Sequence, residues 1–161
     1  MPLKQGGTGT RSDEDMQPEA LPERYESGNL NMAGIAGLEA GVSHVAGEGP
    51  GAAQQRIRSL IEPLLKALGS MRGVKVYGPP ANAARAGVVS FNLEGYDPQE
   101  LAALLDAQWS IQTRAGIHCA PRMHAALGTL PRGTLRLSPG HFTTEAEIDA
   151  VLAALGEITA T

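Results

Sequence analysis

The sequence predicts an α+β fold: a small, mainly antiparallel sheet with helices on one face, preceded by an extended arm and a linking helix. Three observations predict it. Residues 1–31 are polar and broken by glycine and proline, with neither helical nor strand periodicity. Ile57, Leu60, Ile61, Leu64, Leu65 and Leu68 fall on one stripe at helical spacing. Beyond Val74, short runs of period two alternate with helical runs in the order β-β-α-β-(short α)-β-α. The chain is accordingly divided into an arm at 1–31, a linking helix at 32–51 and an α+β domain at 52–161.

In the arm, Gln5-Gly6-Gly7-Thr8-Gly9 offers no face to bury, and so long an irregular opening is uncommon in a compact domain. It reads as a segment shaped to lie against something else. Met32, Ile35, Ala36, Leu38, Val42 and Val45 approximate a helix, with Gly34, Gly37 and Gly41 beside them. Each glycine costs about 1 kcal/mol relative to alanine, so this helix is expected to pack closely against other backbone. Gly47-Glu48-Gly49-Pro50-Gly51 ends it. The helix from Ala52 to about Leu68 holds Pro63, where a kink or a break into two helices is expected.

Val74–Tyr77 reads as a short strand closed by Gly78-Pro79-Pro80, and Gly87–Leu93 as a second, more buried one. Asp97-Pro98 supplies a cap and a first-turn proline, with Glu100 three residues after the cap, for a helix carrying Leu101, Leu104 and Leu105. Ser110–Arg114 is expected to be the third strand. Met123–Leu127 allows one or two helical turns, and Gly133–Ser138 a fourth strand. Thr144 and Glu147 form a capping-box pattern, and Ile148, Val151, Leu152 and Leu155 give the closing helix its apolar face.

Composition narrows the function. A chain of 161 residues can bury enough surface to fold without disulfides or metal. Its single cysteine excludes an internal disulfide and any multi-cysteine metal site, and suits a reducing, cytoplasmic compartment. The net charge of −4, with no basic stripe, gives no reason to expect nucleic acid. No apolar run reaches the roughly 18 residues of a membrane span. No ligand spacing links the four histidines with the cysteine, so no metal is expected.

That cysteine lies in Arg114-Ala115-Gly116-Ile117-His118-Cys119-Ala120-Pro121, the densest group of reactive side chains in the sequence. Glycine and proline bracket it, as in a loop on a rigid scaffold. An ordinary thiol, with a pKa near 8.5, is only a few per cent ionised at neutral pH; cations such as Arg114 and a charged His118 favour the thiolate. The plain alternative is a buried cysteine acting as a small hydrophobe. His118 alternates with Cys119 and is read as an influence on the thiol or as a structural group. His124 and His141 are read as satisfied histidines, Arg122 and Arg132 as solvated.

Taken together, Gln5-Gly6-Gly7-Thr8-Gly9, Arg24-Tyr25-Glu26-Ser27-Gly28-Asn29-Leu30-Asn31, Arg114–Ala120 and Leu135-Arg136-Leu137-Ser138 through Glu145 resemble the carboxy-terminal portion of a class V aminotransferase-type enzyme. The similarity is to cysteine desulfurases of the SUF type, or selenocysteine lyases, and covers nearly the whole chain. It implies the small domain of a pyridoxal-phosphate enzyme of fold type I. It also implies Cys119 as the sulfur acceptor from cysteine or selenocysteine, with release of alanine, and Arg136 as the holder of the substrate carboxylate through its planar fork. Arg114 would assist in substrate binding. Gly7 and Thr8 would approach the cofactor phosphate across a homodimer interface. A protein that takes the sulfur onward is a further implied partner.

The family's Schiff-base lysine sits in a Gly-His-Lys type setting, which none of Lys4, Lys66 and Lys75 matches. Asn29-Leu30 stands where many members carry Thr-Pro. The chain is therefore expected to be inactive by itself, lacking the lysine that would hold the electron sink. Two other readings stand beside this one: a non-catalytic module that folds and binds or dimerises, and a class V relative acting on another amino acid.

Overall fold

The computed structural model describes residues 5–7, 9, 11, 13–83 and 85–160, with only the backbone at Pro50. The chain divides into two units, Met1–Gly47 and Glu48–Thr161.

In the first unit the described residues before Asn31 form turns and bends without helix or strand. The glycine arm meets the second glycine motif here: the Gly28 N–H donates to the Gly7 carbonyl at 2.6 Å. A side chain at Gly6 would press on Ser27, 3.3 Å away. Helix α1 spans Met32–Glu48. Asn31 caps it, its Oδ1 accepting from the Gly34 N–H at 2.9 Å, and a Cβ at Gly34 would collide with that amide. The cap in this geometry therefore needs a glycine at position 34. Among the described residues of the unit, the close packing expected of this helix is absent. No residue of α1 is buried, Met32, Ile35, Leu38, Val42 and Val45 are exposed, and a Cβ added at Gly37 or Gly41 would meet nothing within 4 Å.

The second unit runs α2 (Pro50–Ser70), β1 (Val74–Tyr77), β2 (Val89–Leu93), α3 (Pro98–Trp109), β3 (Arg114–Gly116), α4 (Pro121–Leu127), β4 (Thr134–Leu137) and α5 (Glu145–Ala160). Pro63 lies inside α2 without dividing it. Proline costs about 3 kcal/mol in a helix interior, but Leu60, Ile61, Leu64, Leu65 and Leu68 are all buried on the same helix. At about 1.5–3 kcal/mol for each buried side chain, their burial outweighs it. Helix α3 begins in the expected capping box: the Asp97 side chain accepts from Gln99 N–H at 2.9 Å and the Glu100 carboxylate from Asp97 N–H at 3.3 Å. Helix α5 has the reciprocal pair between Thr144 and Glu147.

The four strands form one antiparallel sheet in the order β1-β2-β4-β3. Val89, Phe91, Leu93, Leu135 and Leu137 point to one side and join the buried residues of α2, α3 and α5 in a single core. The alternate residues occupy the opposite face. Register aligns Tyr77, Ser90, Arg136 and Arg114 in one row, and beside it pairs Lys75 with Asn92 and Thr134 with Gly116.

The third strand differs from expectation. It begins at Arg114 rather than Ser110, because Ser110 takes a left-handed conformation (φ 55°) and closes α3, its N–H bonded to the Asp106 and Leu105 carbonyls. Ile111 N–H also bonds to the Leu105 carbonyl, at 3.1 Å. Both residues are thus tied to the helix end and cannot enter the ladder.

Candidate functional site

The site grows from the end of β3. After Gly116 (φ 106°) the chain turns through Ile117, His118, Cys119 and Ala120, and the Ala120 N–H donates to the Ile117 carbonyl at 2.8 Å. His118 and Cys119 have φ of 49° and 59°, the left-handed pair that defines a type I′ turn. Asn and Gly suit those positions; an ordinary side chain costs about 1–2 kcal/mol at each. Two strained residues in succession hold the only thiol of the chain out into solvent, where Cys119 is free and exposed.

Contacts on both sides hold the turn. The His118 Nε2 lies 3.1 Å from the Arg114 carbonyl. A carbonyl only accepts, so Nε2 carries the proton and Nδ1 of the neutral ring remains an acceptor. Burial lowers the His118 pKa below its usual value, against the opposing effect of the bond to Arg114; the charges of Arg136, His124 and Arg114 lower it further. The His118 ring lies 5.8 Å from that of His124. His124 is buried on α4, with Nδ1 2.7 Å from the Thr129 hydroxyl, while Thr129 N–H bonds to the His124 carbonyl at 2.9 Å.

A glycine that carries no functional signature of its own sets the approach of this loop to β4. Gly133 has φ of 78°, and a Cβ there would run into the carbonyl group of Gly116 and come within 2.7 Å of Ile117 N. Only a glycine lets the backbone before β4 meet the backbone after β3. Its placement in Pro131-Arg132-Gly133, directly before a strand, is the one signal of this in the sequence.

Beside the turn, Arg114 and Arg136 are register partners across β3 and β4. Neither forms an ion pair with a carboxylate among the described residues. The electrostatic neighbours of His118 are likewise all basic groups. Cationic groups gathered without a carboxylate make a receptor for an anion, and paired guanidiniums suit a carboxylate.

The structure therefore brings Arg114, Arg136, His118 and the turn bearing Cys119 into one unit. Gly7 belongs to the other unit, its carbonyl bonded to Gly28, and Thr8 lies outside the described residues. Among the described residues no helix is long and apolar enough to cross a membrane.

Comparison with known proteins gives a consistent answer. The Aminotransferase class-V family matches residues 1–151. A protein named probable cysteine desulfurase from Methanothermobacter thermautotrophicus is 36% identical over 142 residues, covering 87% of this chain and 35% of the relative. The cysteine desulfurase of Serratia proteamaculans is 35% identical over 139 residues, covering 85% of this chain and 32% of the relative. Among solved structures, the apo cysteine desulfurase of Thermococcus onnurineus matches with a TM-score of 0.78 at 34% identity, over 86% of this chain and 34% of that one. The chain thus spans about a third of the length of these relatives.

Proposed function

The chain belongs to the class-V aminotransferase family, and from that premise we propose that it provides the sulfur-accepting and carboxylate-binding part of a pyridoxal-phosphate-dependent cysteine desulfurase. It corresponds in this reading to the carboxy-terminal third of the enzyme. The observation that carries the proposal is the exposed Cys119 on a turn hinged to β3, beside two guanidiniums without carboxylate partners among the described residues.

Arg136 and Arg114 hold the substrate carboxylate between adjoining strands, which fixes the substrate relative to the turn. Cys119 acts as thiolate: its sulfur bonds to the substrate sulfur as the carbon–sulfur bond breaks, leaving a persulfide on Cys119 and, once the carbon takes a proton, alanine. The neutral His118 keeps Nδ1 as an acceptor close to the thiol-bearing residue, while its Nε2–H stays on the Arg114 carbonyl. A thiol with this task suits a reducing, cytoplasmic setting. The persulfide would pass its sulfur to an acceptor protein.

Pyridoxal phosphate, when bound, supplies the sink for the electron pair left on the substrate carbon. The residues of this chain fit the substrate end of that chemistry, and Gly7 with Thr8 would serve the phosphate across a dimer. They do not fit the covalent anchor. Lys4 lies outside the described residues and is set aside on its sequence context alone; Lys66 is exposed on α2, and Lys75 is exposed on β1 with its ammonium 5.3 Å from the Tyr77 ring centre. The anchoring lysine is therefore assigned to a large domain outside this sequence, and the chain alone is inactive in this reading.

The test is mass spectrometry of the chain mixed with pyridoxal phosphate, L-cysteine and the lysine-bearing remainder of a relative. One sulfur atom should be added at Cys119, and none in Cys119→Ser, while both bind the remainder equally. Equal sulfur transfer in the mutant would overturn the assignment. The second reading, a non-catalytic binding module, is favoured by the unmatched lysines; it predicts association with the remainder without sulfur transfer to either form.

A further inference from the structure

Three polar atoms on the face of the sheet opposite the core are buried and have no hydrogen-bond partner among the described residues: Asn92 Oδ1, Thr134 Oγ1 and Arg136 Nε. They are not scattered. The β2–β4 register pairs Ser90 with Arg136 and Phe91 with Leu135; carried one step further, it sets Asn92 opposite Thr134, and the Asn92 amide does reach the Gly133 carbonyl next to Thr134. Thr134 and Arg136 are two apart on one strand and so share a face. Asn92 is diagonal to Arg136, at about 7–8 Å between backbones, a span that a long side chain crosses.

Their chemistry is complementary. Arg136 Nε–H can only donate. Thr134, only 1% exposed, has a hydroxyl that accepts and donates. The orientation of Asn92 is fixed by a separate bond: its amide nitrogen lies 3.1 Å from the Gly133 carbonyl, which can only accept, so Nδ2 must face Gly133 and Oδ1 is left as an acceptor. The same Nδ2 lies 3.5 Å from the Tyr77 hydroxyl. Arg136 Nε–H can only give, Asn92 Oδ1 can only take, and the Thr134 hydroxyl can do both.

We propose that Asn92 and Thr134 are positioning residues for Arg136, through a relay in which Arg136 Nε–H donates to the Thr134 hydroxyl and that hydroxyl donates to Asn92 Oδ1. The relay uses the inner nitrogen of the guanidinium and leaves the outer pair for an anion. It is anchored on Gly133, so the glycine that seats the thiol turn also orients the amide that begins the relay. The two bonds are not closed in this structure, where each of the three atoms stands without a partner; the relay rests on their burial and shared face, and its purpose, aiming the fork at a substrate carboxylate, rests on the function proposed above.

The test is nitrogen-15 NMR of the chain, with the Arg136 Nε–H signal identified by its loss in Arg136→Lys. In the unmodified chain this proton should exchange with solvent more slowly than those of the exposed arginines. Thr134→Val and Asn92→Ala should each speed the exchange by about tenfold or more, the factor that roughly 1.4 kcal/mol represents, with circular dichroism and the unfolding midpoint confirming a folded chain. Thr134→Ser should restore slow exchange, which a role confined to packing would not produce. Fast exchange in the unmodified chain, or exchange unmoved by Thr134→Val, would overturn the relay. Sulfur transfer to Cys119 is read independently, so a failed relay with intact transfer sinks this inference alone, and slow exchange without transfer sinks the functional reading alone.

Discussion

Arg114 and Arg136 stand directly opposite one another on neighbouring antiparallel strands. Like charges in that position are destabilising by about 0.2–1 kcal/mol. Arg114→Gln should therefore raise stability by that amount in low salt. Added sulfate should stabilise the unmodified chain more than the variant, because an anion between the guanidiniums relieves the repulsion. Thermal unfolding with and without sulfate measures both effects, and identical sulfate responses would exclude a shared anion site.

Gly133→Ala should destabilise the second unit by about 2 kcal/mol or more. Alanine would have to adopt a φ of 78° and displace the Gly116 carbonyl. Urea unfolding reads the loss. Because the displaced backbone leads into the thiol turn, alkylation of Cys119 should change rate in the same variant under native conditions.

Protonating His118 should weaken the fold. Its folded pKa is lowered, first by burial and then, against the bond to the Arg114 carbonyl, by Arg136 on β4, His124 on α4 and Arg114 on β3. The unfolded chain then binds the proton more readily than the folded one below the ordinary value of about 6.5. The contribution is fully present above that pH and is lost as pH falls towards the folded pKa. His118→Gln should flatten the stability profile over this window, and an NMR titration of the ring should have its midpoint below the ordinary value.

Thr129→Val should cost about 1–3 kcal/mol, because it leaves His124 Nδ1 buried without its partner. Thr129→Ser should recover most of it. Denaturant midpoints of the two variants give the comparison.

The sequence is most legible where structure is decided by neighbours along the chain. Asp97, Pro98 and Glu100 announce the start of α3, and Thr144 with Glu147 that of α5, because a cap is made within a few residues. The alternation from Val89 to Leu93 marks a strand with one face in the core. The third strand starts later than its pattern implies because Ile111 and Thr113 alternate like strand residues, while the left-handed Ser110 holds the segment to the helix end. The glycines of α1 suggest close packing that the described residues of its own unit do not supply. Cys119, Arg114 and Arg136 can be named from the sequence, but their arrangement cannot. Whether two arginines face each other depends on strand register, which is a property of distant segments. The parts played by Gly133 and Asn92 are hidden for the same reason, although two polar residues, Ser90 and Asn92, spaced by two in an otherwise buried strand already hint at a second working face.

The backbone at His118 and Cys119 bears on how this protein can be improved. Glycine at His118 would fit the turn more comfortably than the native residue, and a neutral side chain at Arg114 would quiet the ladder beside it. A screen that selects only for heat resistance would thus tend to collect changes that dismantle the thiol-bearing loop on which the proposed function rests, since natural sequences tolerate local discomfort where chemistry requires it. Libraries aimed at a hardier variant should hold residues 114–119 and Arg136 constant and place their diversity on the solvent side of α2 and α5.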